Sequence, residues 1–260
     1  MAKQPLKKLA LRFGYDFTFR KLPQHALRNR QIKLPRDVEP EFADIFEQVG
    51  DYTMTTADCV YALFNAVRHV VQQDIPGDLV ECGVWRGGSA MTMALTLKHF
   101  GVTDRKIWLY DTFAGMVKPE AVDVRQRDGS DTIKRWEMQQ KDDHNDWAYA
   151  PLDEVTRNMT ATGYPAEHID YIKGTVEETI PGAMPSSIAL LRLDTDWYRS
   201  TLHELNHLYP VLSPGGFLII DDYGAYEGSR KATDQYFDEM GGRPFLNRID
   251  TAARIAVKPG

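Results

Sequence analysis

The sequence predicts an α/β protein with a doubly wound, mostly parallel sheet and helices on both faces. Three observations support this. Short apolar runs bounded by Gly, Asp or Pro recur along the chain: Asp78–Cys82, Lys106–Asp111, Ile169–Lys173, Ile188–Asp194 and Gly216–Asp222. Runs of this length, several apolar at consecutive positions, suit strands covered on both faces. Stretches of helical period separate them, among them Ser89–His99 and Thr201–Leu208, so strand and helix alternate. The final stretch, Phe245 to Val257, reads as two more strands closing an edge, with an antiparallel strand near the C-terminus.

Each further element follows from period or composition. Thr56–Gln73 sets Val60, Leu63, Phe64, Val67, Val70 and Val71 on one helical stripe. Val117–Pro151 fits neither period; it is polar and acidic, with Trp136, Trp147 and Tyr149 interspersed, and an insert of that length within a domain is expected to act as a binding lid. With 260 residues, 43% hydrophobic and 26% charged, the chain can bury the core of one large domain. We assign residues 1–45 to a basic N-terminal arm or lid and 46–260 to the main domain, with 117–151 inserted in it.

Charge and cysteine content narrow the function classes. The net charge of -6 conceals ten Lys/Arg against one acid, Asp16, within residues 1–36, which leaves the body about 15 units negative. No nucleic-acid motif accompanies the arm, so it is expected to fold onto its own acidic body or onto a partner subunit, which points to a homo-oligomer and away from nucleic acid. No window supplies the roughly 18 uninterrupted apolar residues of a membrane span, and Met1–Lys21 has no apolar signal core, so no membrane partner and a cytoplasmic location are expected. Cys59 and Cys82 lie in apolar surroundings and are expected to be buried free thiols.

Ligands of open α/β sheets bind beyond the carboxyl ends of the strands. The first strand runs into Glu81-Cys82-Gly83-Val84-Trp85-Arg86-Gly87-Gly88-Ser89, a glycine loop opening a helix. Its spacing is not the G-x-G-x-x-G of dinucleotide binding. An acid two residues before the first glycine would repel phosphate but suits a ligand bearing an ammonium and a sulfonium, which favours S-adenosylmethionine over NAD. Asp111, 28 residues after Gly83, ends the second strand, where a carboxylate can accept both ribose hydroxyls; the alternative is a turn-capping Asp before Thr112-Phe113. The last two parallel strands end in Asp194-Thr195-Asp196 and Asp221-Asp222-Tyr223. Neighbouring strand ends lie about 5 Å apart, so these acids would crowd one crevice unless a cation offsets them. Oxygen ligands select a hard ion, Mg²⁺ first. His203-Glu204-Leu205-Asn206-His207 matches the H-E-x-x-H zinc pattern, but it lies on a connecting helix just before Pro210 with no third ligand evident, so zinc is not expected.

With these residues assembled, the sequence resembles the TylF-type (macrocin) O-methyltransferase family. The resemblance rests on Tyr52-Thr53-Met54, Glu81 to Gly88, Leu193-Asp194-Thr195-Asp196, Leu212-Ser213-Pro214-Gly215-Gly216-Phe217 and Ile220-Asp221-Asp222-Tyr223, and runs from about residue 45 to 258. It implies a Rossmann-like class I methyltransferase acting on a hydroxyl of a sugar-containing small molecule such as an antibiotic or glycan precursor. Glu81, Gly83 and the turn from Gly87 to Ser89 would then hold the methionyl part of S-adenosylmethionine, with Met54 beside it. Asp111 would take the ribose, and Gly174, Thr175 and Val176 would line the adenine. Asp194, Asp221 and Asp222 would bind Mg²⁺, Asp194 would also be the catalytic base, and Asp196 would orient them. Catechol-like phenols are the nearest alternative acceptors, and an NAD-linked oxidoreductase is the rival class.

Overall fold

The structure, a computed structural model, describes residues 34–35 and 37–260. Most of the basic arm lies outside the described residues. The elements are α1 (Pro40–Val49), α2 (Ala57–Gln72), β1 (Asp78–Cys82), α3 (Gly88–His99), β2 (Ile107–Asp111), α4 (Thr132–Gln139), α5 (Leu152–Ala161), β3 (Ile169–Lys173), α6 (Val176–Thr179), β4 (Ile188–Leu193), α7 (Tyr198–Leu208), β5 (Leu212–Ile220), α8 (Glu227–Glu239), β6 (Asn247–Arg248) and β7 (Arg254–Val257).

Seven strands form one sheet in the order β3-β2-β1-β4-β5-β7-β6. β1 to β5 are parallel. β7 and β6 close the edge antiparallel. The order reverses between β1 and β4, which is the switch point where an open sheet leaves a crevice for ligands. None of the described helices is long and apolar enough to cross a membrane.

Alternation along the strands builds the core on both sides. Leu79, Ile107, Leu109, Leu190 and Ile219 pack with residues of α1, α2, α3 and α5 on one face. Val80, Cys82, Tyr110, Leu191, Leu193 and Ile220 pack with Leu205, Leu208, Tyr236 and Phe237 of α7 and α8 on the other. All six residues of β4 are buried, as a central strand covered on both faces requires. Cys59 and Cys82 are free and buried.

The differences from expectation are local. β5 begins at Leu212 rather than Gly216, because the β4–β5 ladder shifts register between Ile188 and Leu190 and the irregularity takes up Ser213-Pro214-Gly215-Gly216. The insert carries a helix, α4, and is tied to the body. Trp197 Nε1 donates to the Val117 carbonyl at 3.0 Å, Trp136 Nε1 to the Met116 carbonyl at 2.7 Å, and Gln126 Nε2 to the Tyr223 and Tyr226 carbonyls. Trp147, Trp197 and Tyr226 meet edge to face beneath it.

Candidate active site at the switch point

The glycine loop is shaped by close approach. Gly83 has φ +85°, and a Cβ there would stand 2.1 Å from the Asp194 carbonyl oxygen. The ends of β1 and β4 are therefore in backbone contact, with the Asp194 amide donating to the Cys82 carbonyl at 2.8 Å. Gly88 is pressed against Tyr52 in the same way, its amide donating to the Tyr52 carbonyl at 3.0 Å. This brings the Tyr52-Thr53-Met54 block onto the loop.

Asp111 holds that loop from the neighbouring strand. Its Oδ2 accepts from the Val84 amide at 2.7 Å and the Trp85 amide at 3.1 Å, and its Oδ1 from the Phe113 amide at 2.7 Å. Trp85 and Phe113 both have positive φ, near +47° and +50°, a conformation side chains resist. One carboxylate thus steadies two strained residues on two loops. Burial raises its pKa, opposed by these backbone amides.

A cleft of about 430 Å³, open solvent at its mouth included, lies at the switch point. Gly83, Asp111, Gly174, Thr175, Val176 and Asp194 line it, as do Tyr110, Thr112, Gly115, Met116 and Val117. Of the other sequence-derived candidates, Glu81 is buried, Ser89 lies within α3, Gly87 is its left-handed N-cap and Met54 is half exposed; none of these lines the cleft itself.

Beside the cleft, carboxylate oxygens of Asp194, Asp221 and Asp222 lie within 4.8 Å of one another. Beneath them is a residue the sequence reading missed, Arg192, only 3% exposed. Its Nη1 donates to Glu81 Oε1 at 2.8 Å and to Asp194 Oδ2 at 2.6 Å, and its Nη2 to Asp221 Oδ1 at 2.7 Å. One oxygen each of Asp194 and Asp221 is left outside this grip, while among the described residues Glu81 Oε2 and Asp222 Oδ2 are buried with no hydrogen-bond partner. One guanidinium against five neighbouring acids, Asp196 included, leaves a deficit of positive charge. Burial foremost, then Asp221 and Asp222, push the Asp194 carboxyl well above its ordinary range against the pull of Arg192. Burial, Asp196 and Asp221 do the same to Asp222. Glu81 is pushed to about 7 by burial, against Arg192. Asp196, at φ +69°, completes the group.

The H-E-x-x-H residues are engaged elsewhere. His203 Nε2 meets the Ile180 carbonyl, His207 Nδ1 meets the His203 carbonyl, and Glu204 is fully buried, accepting from Thr195 Oγ1 at 3.0 Å.

The sheet order, the switch-point cleft and the antiparallel C-terminal edge are those of a class I methyltransferase. The macrocin-O-methyltransferase (TylF) family profile matches residues 22–256, and the chain belongs to that family of O-methyltransferases. It is 38% identical over 199 residues to the 8-demethyl-8-(2,3-dimethoxy-alpha-L-rhamnosyl)-tetracenomycin-C 4'-O-methyltransferase of Streptomyces olivaceus, covering 76% of this chain and 72% of that protein. It is 34% identical to the mycinamicin III 3''-O-methyltransferase of Micromonospora griseorubida, covering 82% and 83% respectively. The solved structure of the O-methyltransferase NovP superposes with a TM-score of 0.71 at 26% identity, over 98% of this chain and all of that one. Membership of the family implies S-adenosylmethionine as methyl donor and excludes the NAD-linked alternative.

Proposed function

We propose that the protein transfers the methyl group of S-adenosylmethionine to a hydroxyl on the sugar of a glycosylated small molecule, with a divalent cation, Mg²⁺ by preference, held by Asp194, Asp221 and Asp222. The observation that carries this reading is the double membership of Asp194, which lines the cleft and also belongs to the carboxylate cluster. Donor and cation would thus meet at one side chain. The sugar acceptor is suggested by relatives named for such substrates, one of them a rhamnosyl tetracenomycin.

The residues fit both groups. Gly83, Asp111 and the Gly174-Thr175-Val176 turn furnish a glycine loop, a carboxylate and a backbone edge around one cleft, as the donor requires. Asp111 spends its two oxygens on backbone amides, but a carboxylate has about four acceptor sites, so ribose hydroxyls remain within its capacity. For the cation, the donors are all carboxylate oxygens, the set a hard ion selects, and the unpartnered Asp222 Oδ2 is a ligand atom without a proton donor.

A sugar hydroxyl is a weak acid and a poor nucleophile, so transfer needs a proton acceptor beside it. When bound, a divalent ion stabilises the developing alkoxide. Asp194 Oδ1, left free by Arg192, accepts the proton, and Arg192 keeps the carboxylate from turning away. Met116 and Val117 add apolar side chains to the cleft lining, and a drier site favours a reaction that consumes charge.

Calorimetry with S-adenosylhomocysteine and with NAD, followed by methyl transfer from labelled donor to glycosides and to catechols, tests the reading. Binding of S-adenosylhomocysteine and methylation of a glycoside are expected; methylation of catechols alone would replace the acceptor class.

A further inference from the structure

Beyond the carboxylates, on the side away from the cofactor cleft, the sheet edge carries a second cleft. It is open to solvent and is lined by Tyr223, Arg243, Pro244, Phe245, Leu246 and Arg254. Tyr223 directly follows Asp222, and Arg254 is the register partner of Ile220, the residue before Asp221. The cleft therefore starts at the strand end that bears two of the three clustered acids. Methyl transfer aligns donor and acceptor on opposite sides of the reacting atoms. With the donor cleft over the ends of β1 to β4, this cleft lies on the far side of the clustered acids.

Its chemistry is cationic and apolar. Arg248 and Arg254 face each other in register on β6 and β7, a like-charged pair that is unfavourable without a counter-ion. Arg254 is almost buried, and its hydrogen bonds all leave from Nη1 to the backbone carbonyls of residues 250, 252 and 253. Arg230 and Arg254 both lie over the Tyr223 ring, 5.5 and 5.1 Å from its centroid. Among the described residues the Arg230 Nε is buried with no hydrogen-bond partner. Arg243 at the mouth pairs with Asp234 at 2.8 Å. Phe245 is 84% exposed, an unusual position for so large an apolar ring. Two arginines in the lining, Arg243 and Arg254, with Arg230 over the Tyr223 ring and Arg248 in register beside Arg254, together with a bare aromatic ring suit a ligand that is both acidic and ring-bearing.

We propose that this cleft anchors the acceptor and takes a phosphorylated, ring-bearing part of it, of the kind that carries a sugar on a nucleoside diphosphate. The phosphoryl oxygens lie against Arg254 and Arg243, the planar ring lies over Phe245, and the sugar hydroxyl is directed to Asp194. The assignment rests on the O-methyltransfer reading above and narrows its acceptor.

The test is calorimetry on the full chain with uridine diphosphate, inorganic pyrophosphate and uridine, with S-adenosylhomocysteine titrated into the same preparations. Arg243→Gln and Phe245→Ala alter exposed side chains, and a thermal melt checks that each variant folds. Uridine diphosphate is expected to bind at least about tenfold more tightly than uridine, as charge-assisted contacts to arginine require. Arg243→Gln should weaken both uridine diphosphate and pyrophosphate by about tenfold, and Phe245→Ala should weaken uridine diphosphate but not pyrophosphate. Uridine diphosphate binding no better than uridine, or equally well to both variants, would overturn the proposal while retained S-adenosylhomocysteine binding left the wider reading intact. Loss of S-adenosylhomocysteine binding by the unaltered protein would instead remove that reading.

Discussion

Glu81 on β1 and Arg192 on β4 are direct register partners, and their side chains meet at 2.8 Å in the buried floor of the site. The same guanidinium also holds Asp194 and Asp221, so one cation sets the positions of three acids on three adjoining strands. Clustered acids at adjoining strand ends need a positive partner. Part of that partner is built into the sheet.

Arg192→Met should therefore leave carboxylates buried without their cation and cost about 3–5 kcal/mol, the usual penalty for breaking a buried pair from one side. Urea unfolding measures it. A loss under about 1 kcal/mol would mean that the acids are neutral without Arg192.

Glu81 gives stability a pH dependence. Its folded-state pKa of about 7 lies above the ordinary 4.5, so between those values the folded protein holds a proton that the unfolded chain has released. Stability is then fully present below about 4.5 and falls as pH rises through 7, by roughly 3 kcal/mol for this group. Unfolding in chelator across that window should show the decline, and Glu81→Gln should flatten it.

Turnover should stop in excess chelator and return with Mg²⁺. Asp194→Asn keeps the side-chain outline but removes the proton acceptor, and should lower the rate by about 10²–10⁴ or more while sparing S-adenosylhomocysteine binding. Full activity in chelator would remove the cation from the mechanism.

Asp111→Ala removes the acceptor for three backbone amides and frees two strained loops. S-adenosylhomocysteine binding should weaken by about 1.5–3 kcal/mol in calorimetry, the range for hydrogen bonds to a charged group. Asp111→Asn should lose less, since its amide oxygen still accepts.

Trp197→Ala should cost about 3–5 kcal/mol as a buried aromatic truncation. It should also raise amide exchange across residues 117–147 more than in β1 or β4, because Trp197 ties the insert by both packing and its bond to Val117.

Most of the frame was legible because its signals are local. β1 and β3 fall within the expected residues, each bounded by turn-forming neighbours, and Thr56 caps α2 by accepting from the Cys59 amide at 3.3 Å. Helix α4 was not, since it is short and polar and among its residues only Thr132 is buried, so its few apolar residues carry too little signal. α8 is similarly polar, and its core face rests on Tyr236, Phe237 and small residues. The carboxylate cluster was visible as three acids at two strand ends. Arg192 was not, because its meaning depends on register with a glutamate 111 positions earlier, and a single basic residue in an apolar run carries no such label.

The placement of β7 between β5 and β6 has a consequence for synthesis. Until residues 254–257 leave the ribosome, β5 is an open edge, with unpaired amides and carbonyls along the strand that carries Asp221 and Asp222. The nascent chain can assemble the switch-point cleft from β1 to β4 well before that point, but the strand leading to Asp221 and Asp222 gains its second neighbour only with residues 254–257. The carboxylate end of the site thus matures after the cleft, and a chain stalled before residue 254 would present a sticky strand beside it.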